Sequence, residues 1–126
     1  MPENKVVLHV EDNPENRMLV RRILQASGYT IHEAENATQT LKLLEEIRPG
    51  LILMDINIPE MDGYALTHKI KGMPGMESMP VVAITANVMK GDREKSLQAG
   101  CDGYIQKPID VDTFVEQVEK FYYKAG

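Results

Sequence analysis

Carboxylate, hydroxyl and ammonium side chains stand at the ends of four apolar runs in this chain. They are Glu11 and Asp12 after the first run, Asp55 at the third, Thr85 at the fourth and Lys107 after the fifth. Three carboxylates held close together repel one another, so they either protonate or bind a cation. An oxygen-rich acidic group suits Mg²⁺, a hard ion that often binds beside phosphoryl groups. An aspartate in such a group can act as a nucleophile and form an acyl phosphate.

Thr85 and Lys107 offer the other contacts that phosphoryl transfer requires. A phosphoryl group in transfer spreads negative charge over its equatorial oxygens and needs cationic and hydrogen-bonding contacts around it. Mg²⁺ would supply one contact, the Lys107 ammonium a second and the Thr85 hydroxyl a third. The five side chains therefore predict a phosphoryl cradle, provided that the fold brings them together.

Five short apolar runs alternate with stretches of helical periodicity, and this order predicts five strand–helix units. The runs are residues 5–10, 30–34, 51–56, 81–85 and 104–106. Several are apolar almost without alternation, which is typical of strands buried on both faces of a parallel sheet. We expect an α/β fold, a doubly wound (βα)5 unit with a five-stranded parallel sheet. Ligands bind beyond the carboxyl ends of the strands in such sheets, so the five polar groups should converge there.

Capping residues set the expected bounds of the helices. Four helices should begin after a side chain that accepts from the first helical N–H groups, namely Asn13, Asn36, Asp62 and Asp110. The first helix is expected to end at about residue 27, before Gly28, the second near Ile47 and the third at about Lys71. The fourth should lie within residues 88–99. The fifth should bury a stripe made of Val111, Phe114, Val115, Val118, Phe121 and Tyr122.

Composition limits the possible classes of protein. The chain has 126 residues, 43% of them hydrophobic and 26% charged, as expected for one globular domain. Its net charge is −5 and its basic residues are scattered, which argues against direct nucleic-acid binding. No apolar run approaches the roughly 20 residues that cross a bilayer. A single cysteine, Cys101, excludes an internal disulfide and fits a reducing compartment, so we expect a cytoplasmic protein in which Cys101 is buried.

Four sequence motifs resemble those of response-regulator receiver domains. They are Val-Glu-Asp-Asn at 10–13, Leu-Met-Asp-Ile-Asn-Ile-Pro-Glu-Met-Asp-Gly at 53–63, Ile-Thr-Ala at 84–86 and Lys-Pro at 107–108. The match covers nearly the whole chain, in order and with similar spacing. It implies one receiver domain over residues 1–126, with a core of about 5–123, and the flavodoxin-like (CheY-like) variant of the (βα)5 fold. The initial Met and the polar start favour a free-standing protein.

The resemblance also implies roles for individual residues. Asp55 would be the phosphoacceptor, Thr85 and Lys107 would bind phosphoryl oxygens, and Tyr104 would move when Thr85 is drawn inward. Mg²⁺ would be held by Glu11, Asp12, Asp55 and the main-chain carbonyl of Asn57. Lys107-Pro108 would be a cis peptide. His9, inside the first run, is expected to be a hydrogen-bonded or partly exposed core histidine rather than a pH-sensitive group.

The function implied is phosphorelay signalling. A sensor histidine kinase or a histidine phosphotransfer protein would donate to Asp55 after docking on the first helix, over Met18, Arg21 and Arg22. A downstream protein effector would then bind the face formed by helix four, strand five and helix five. We expect a monomer or a weak dimer, without membrane attachment. Catalysis would be limited to self-catalysed phosphorylation and dephosphorylation, and Asn57 and Asn87 predict an intermediate phosphoryl lifetime.

Two other functions stay open from the residues alone. An aspartate-dependent phosphohydrolase would carry a second Asp two residues after the nucleophile, as general acid, but that position is Asn57. A receiver that works as a phosphate-independent binding scaffold would not need the acceptor set, which is intact here. A flavodoxin-like cofactor site would place a Ser-, Thr- or Gly-rich phosphate loop after the first strand, where Glu11 and Asp12 would repel phosphate.

Overall fold

Strands and helices alternate along the described part of the chain, residues 5–86 and 90–125 of the computed structural model. The strands are β1 Val6–Val10, β2 Thr30–Ala34, β3 Leu51–Asp55, β4 Val81–Thr85 and β5 Gly103–Gln106. The helices are α1 Pro14–Ala26, α2 Ala37–Glu46, α3 Gly63–Lys71, α4 Lys90–Ala99 and α5 Phe114–Ala125. All five expected strands and helices are therefore present. No helix in this described part is long and apolar enough to cross a membrane.

The five strands form one parallel sheet in the order β2-β1-β3-β4-β5. The register pairs Val7 of β1 with Leu51 of β3, and Asp55 of β3 with Ile84 of β4. The order reverses between β1 and β3, and this is the position at which doubly wound sheets bind ligands. The expected fold class is confirmed.

Two hydrophobic clusters, one on each face of the sheet, hold the helices in place. Alternate residues of a strand point to opposite faces, so each strand contributes to both clusters. On one face Leu8, Met54 and Ala83 pack with side chains of α2 and α3. On the other face the cluster joins strand residues to α1 and α5, and it contains Val7, Leu53, Ile84, Val20, Leu24, Phe114 and Val118. Both faces are covered, which explains the uninterrupted apolar runs of the strands.

Side-chain caps begin three helices as the sequence predicts. The Asn13 Oδ1 accepts from the Glu15 N–H at 2.8 Å, and Pro14 occupies the first helical position of α1. The Asp62 Oδ1 accepts from the Ala65 N–H at 2.8 Å at the start of α3. At α2, the side chain of Asn36 caps the Gln39 N–H at 2.8 Å. These caps satisfy N–H groups that have no partner inside the helix.

The expected start of α5 is wrong by one turn. The Asp110 Oδ1 accepts from the Asp112 N–H at 3.0 Å, and the Asp110 carbonyl accepts from the Phe114 N–H at 2.9 Å. This local bonding makes a turn of residues 110–113, and α5 begins only at Phe114. Val111 therefore lies in the turn, 58% exposed and outside the buried stripe. The expected start of the fourth helix and Asn87 lie outside the described residues.

Candidate functional site

The predicted polar residues meet at the carboxyl edge of the sheet. Glu11 and Asp12 follow β1, Asp55 ends the neighbouring β3, and one oxygen of each carboxylate lies within 4.8 Å of the other two. Glu11 and Asp55 are each 2% exposed, whereas Asp12 is exposed. The strand order produces this approach, because β1 and β3 are adjacent in the sheet although α1, β2 and α2 lie between them in the chain.

Lys107 brings a positive charge to the buried carboxylates. Its Nζ lies 3.3 Å from the Asp55 Oδ1 and 3.4 Å from the Glu11 Oε1. The main chain fixes its position, because the Lys107 N–H donates to the Thr85 carbonyl at 2.8 Å. The peptide bond between Lys107 and Pro108 is cis, as the resemblance to receiver domains implies. One ammonium group thus faces both buried acids.

The charge of this group is not balanced by Lys107 alone. Burial, together with the hydrogen bond and negative charge of Asp55, raises the pKa of Glu11 to about 7. The Asn13 N–H and the Lys107 charge oppose this increase. A site in which one of two adjacent acids tends to hold its proton favours an additional cation. Three carboxylates supply oxygen ligands of the kind that hard divalent cations prefer, so these residues fit such an ion.

The β1–α1 turn is held by contacts that the sequence does not reveal. The Glu11 N–H donates to the Ala34 carbonyl at 2.9 Å, and Arg17 Nη1 donates to the Glu11 carbonyl at 2.8 Å. Arg17 also lies 3.8 Å from the Glu35 carboxylate, and its side chain is only 16% exposed. Arg17 is therefore a structural link between α1, the β1–α1 turn and the residues that follow β2.

Gly63 allows the loop after β3 to pass close behind Asp55. Its N–H donates to the Ile56 carbonyl at 2.8 Å. A Cβ at this position would lie 2.5 Å from the Asp55 carbonyl oxygen. The Asn57 N–H donates to the Asp55 Oδ1 at 3.2 Å, so the same loop also contacts the carboxylate. The requirement for glycine at position 63 was not predicted from the sequence. The available signal was the glycine that directly follows the cap residue Asp62.

Thr85 and Tyr104 share one face of the sheet. Thr85 is opposite Gln106 in the register and Tyr104 is opposite Ala83. Residues opposite each other in a parallel pair point to the same face, and so do residues two apart in a strand. Thr85 is buried, whereas Tyr104 is 36% exposed. The two residues are therefore neighbours along one face, with the hydroxyl of Thr85 nearer the carboxyl edge.

Comparisons with known proteins agree with this geometry. The family model of the response regulator receiver domain matches residues 7–119. The polar-differentiation response regulator DivK of Brucella anthropi is 44% identical over 117 residues, which cover 93% of this chain and 95% of that protein. The chain belongs to the response regulator receiver family. Receivers are signalling domains that interact with histidine kinases and effectors, and this one is related to phosphorelay regulators.

Solved receivers have the same fold. The receiver domain of a Pseudomonas aeruginosa sensor histidine kinase is 32% identical, with a TM-score of 0.86 and coverage of 95% of this chain and 98% of that one. That structure holds a magnesium ion coordinated in its active-site cleft. A chemotaxis response regulator of Vibrio cholerae has a TM-score of 0.89 at 22% identity, covering 94% and 98% of the two chains. The second likeness shows the fold alone.

His9 is the residue of this receiver whose environment differs most from expectation. It is 1% exposed, and neither ring nitrogen has a hydrogen-bond partner among the described residues. Burial, together with the charges of Lys107 and Arg17, lowers the pKa of His9 to about 3. The prediction that His9 is hydrogen-bonded or partly exposed is therefore wrong. His9 lies on β1 and lines a cavity of about 330 Å³ together with Val20 of α1 and Ile84 of β4.

Proposed function

We propose that this receiver accepts a phosphoryl group on Asp55, and that Glu11, Asp12, Asp55 and the Asn57 carbonyl hold Mg²⁺ for the reaction. The observation that carries the proposal is the approach of the three carboxylates to within 4.8 Å, beside a lysine ammonium 3.3 Å from Asp55. Bound Mg²⁺ would supply positive charge to the phosphoryl oxygens and offset the repulsion between the acids. The magnesium in the Pseudomonas receiver supports this choice of metal.

Asp55 would act as the nucleophile. One of its oxygens forms a bond to phosphorus while the bond from phosphorus to the donor imidazole nitrogen breaks, which leaves an acyl phosphate and a free histidine. Burial of Asp55 excludes bulk water and strengthens the attraction of Lys107 for the new negative charge. Lys107 and the Thr85 hydroxyl would contact the phosphoryl oxygens. Asn57 lacks the carboxylate that a general acid would need for turnover, so the product remains on the protein.

The output would depend on a change around Thr85. Movement of Thr85 toward the phosphoryl group would leave space on the face that it shares with Tyr104, and the exposed Tyr104 ring would turn inward. A protein effector would read the surface of α4, β5 and α5, on which Leu97 is 62% exposed. The receiver would be monomeric or weakly dimeric and would act in the cytoplasm, as one domain over residues 1–126.

The phosphoryl donor would be a histidine kinase or a histidine phosphotransfer protein that docks on α1. Met18 on this helix is 42% exposed, which supports an apolar contact there. Arg21 pairs with Glu33 at 2.9 Å, so it would contribute less free charge to docking than the sequence implies. An uncharged residue at Asn57 would favour a lifetime longer than seconds, and decay within seconds would contradict this.

Intact mass spectrometry after incubation with acetyl phosphate tests the acceptor. We expect one phosphoryl adduct in the presence of Mg²⁺ and none with EDTA. Asp55→Asn should abolish the adduct. Asp62→Asn is the matched control, because Asn also caps a helix and the change leaves the site intact. A stoichiometric adduct on Asp55→Asn would refute the acceptor assignment, and a folded wild type without an adduct would favour the phosphate-independent scaffold.

A further inference from the structure

Glu60 reaches from the loop after β3 to the first turn of α2. Its Oε1 accepts from both the main-chain N–H and the Oγ1–H of Thr38, each at 2.9 Å, although the two residues are 22 positions apart in sequence. Glu60 has φ 76°, and among the described residues it is the only non-glycine residue with a positive φ. This backbone conformation is unfavourable for residues other than glycine, because their Cβ approaches main-chain atoms. A glutamate held there needs a compensating contact, and the two bonds to Thr38 provide it.

The start of α2 is suited to receive this carboxylate. Asn36 caps the Gln39 N–H, and the first turn of α2 contains no acidic residue of its own. The Thr38 N–H is therefore left for an acceptor from elsewhere, at the positive end of the helix dipole. The bonds from Thr38 lower the pKa of Glu60 and so keep it ionised. Glu60 acts as a second cap of α2, supplied by a distant segment.

The residues around Thr38 also contact the end of β1, where Glu11 lies. We refer to residues 34–38 as the β2–α2 corner. The Ala34 carbonyl of this corner accepts from the Glu11 N–H, and its Glu35 carboxylate contacts Arg17. Arg17 in turn bonds the Glu11 carbonyl. The corner is thus tied to the β1 end and to the loop after β3. These are the two segments that carry the proposed metal ligands.

We propose that Glu60 is a positioning residue, which fixes the loop of residues 56–62 against the β2–α2 corner at the spacing that metal binding requires. The inference rests on the proposed function, because the carbonyl of Asn57 lies in this loop. Glu60 is not proposed as a metal ligand, because its side chain is exposed and, among the described residues, its hydrogen bonds are to Thr38. Loss of the tether would leave the carboxylates in place and free the loop.

Three variants separate this role from general stability. Glu60→Gly removes the tether and also relieves the positive φ, so the fold is not expected to become less stable. Glu60→Gln keeps an oxygen that can accept both bonds from Thr38 and removes only the charge. Glu77→Gly is the matched control, because Glu77 is also exposed in a loop but lies before β4, at the opposite edge of the sheet.

The readouts are the Mg²⁺ dissociation constant from calorimetric titration and hydrogen exchange of the Thr38 amide. For Glu60→Gly we expect Mg²⁺ affinity about tenfold weaker, as for other residues that orient metal ligands, and about tenfold faster Thr38 exchange. Glu60→Gln should stay within about threefold of wild type in both, because its amide oxygen retains the tether. Glu77→Gly should match wild type.

The outcomes distinguish this inference from the function on which it rests. Wild-type affinity in Glu60→Gly, with normal binding by the wild type, would overturn the positioning role alone. Loss of affinity in Glu60→Gln equal to that in Glu60→Gly would also overturn it, because charge rather than the tether would then be responsible. A wild type that binds no Mg²⁺ and takes no phosphoryl group would overturn the proposed function and this role together.

Discussion

Replacement of Gly63 by alanine should disturb both the fold and the chemistry at Asp55. A Cβ on Gly63 would lie 2.5 Å from the Asp55 carbonyl oxygen and 2.8 Å from the Ile56 Cα. Both are backbone atoms, so no side chain can rotate away to make room. Ordinary contacts lie near 3.5 Å, so the start of α3 and the end of β3 must separate by about 1 Å. Asp55 would shift with the end of its strand.

The magnitude follows from two opposing effects. Overpacking of this kind costs about 1–3 kcal/mol, whereas replacing glycine by alanine favours folding by about 0.4–1 kcal/mol through the unfolded chain. We expect Gly63→Ala to lower the free energy of unfolding by about 1–2 kcal/mol. A displacement of about 1 Å at a reacting group can reduce a rate about hundredfold, so labelling by acetyl phosphate should slow by at least about tenfold.

Gly72, at the other end of α3, provides the matched control. Its Cβ would meet the His68 and Lys69 carbonyl oxygens at 3.5 and 3.6 Å, and its φ of −84° is open to alanine. Gly72→Ala should therefore stabilise the fold by about 0.4–1 kcal/mol and leave labelling unchanged. Urea denaturation and the initial rate of adduct formation measure the two effects. Equal stability and equal rates for the two variants would refute the close-contact reasoning.

Two further predictions concern buried titratable groups. Because the pKa of His9 falls from 6.5 to about 3 on folding, its neutral form stabilises the fold above pH 6.5, and this contribution is lost as pH falls toward 3. Between pH 7 and pH 5, the free energy of unfolding of the wild type should fall by about 2 kcal/mol more than that of His9→Leu, as measured by urea denaturation. Parallel pH profiles of this free energy for the two proteins would contradict the prediction. Burial raises the pKa of Cys101 to about 11, so iodoacetamide should alkylate the folded protein about hundredfold more slowly than the urea-unfolded chain, and equal rates would show an accessible thiol.

Local sequence signals were sufficient for the sheet and for most of the helix starts. The strands were predictable because both faces of each central strand are buried, which leaves runs such as Leu51–Asp55 with little polar interruption. The caps Asn13 and Asp62 act within three residues, so sequence neighbours determine them. The meeting of Glu11 with Asp55 followed from a rule about where parallel strands end.

Contacts made by side chains across the fold were not predictable in the same way. Nothing local in the sequence indicates that Glu60 bonds to Thr38, or that Arg17 bonds to the Glu11 carbonyl. The predicted start of α5 was wrong for a different reason. Asp110 can cap a helix or close a turn, and these two roles look alike in sequence. The burial of His9 depends on how closely α1 covers β1, which packing decides and periodicity does not.

The acidic site is assembled against the electrostatic preference of its own residues. Glu11 and Asp55 are buried side by side, and burial together with the hydrogen bond and charge of Asp55 raises the pKa of Glu11. Such a pair would separate unless the backbone around it were fixed. The bonds that fix the β1 end come from Ala34 and Arg17, whereas the bonds from Thr38 to Glu60 hold the loop after β3, which carries Asn57. Under the proposed function, a site held in this way attracts a cation more strongly than one that can relax, so the β2–α2 corner contributes to metal binding without contributing a ligand.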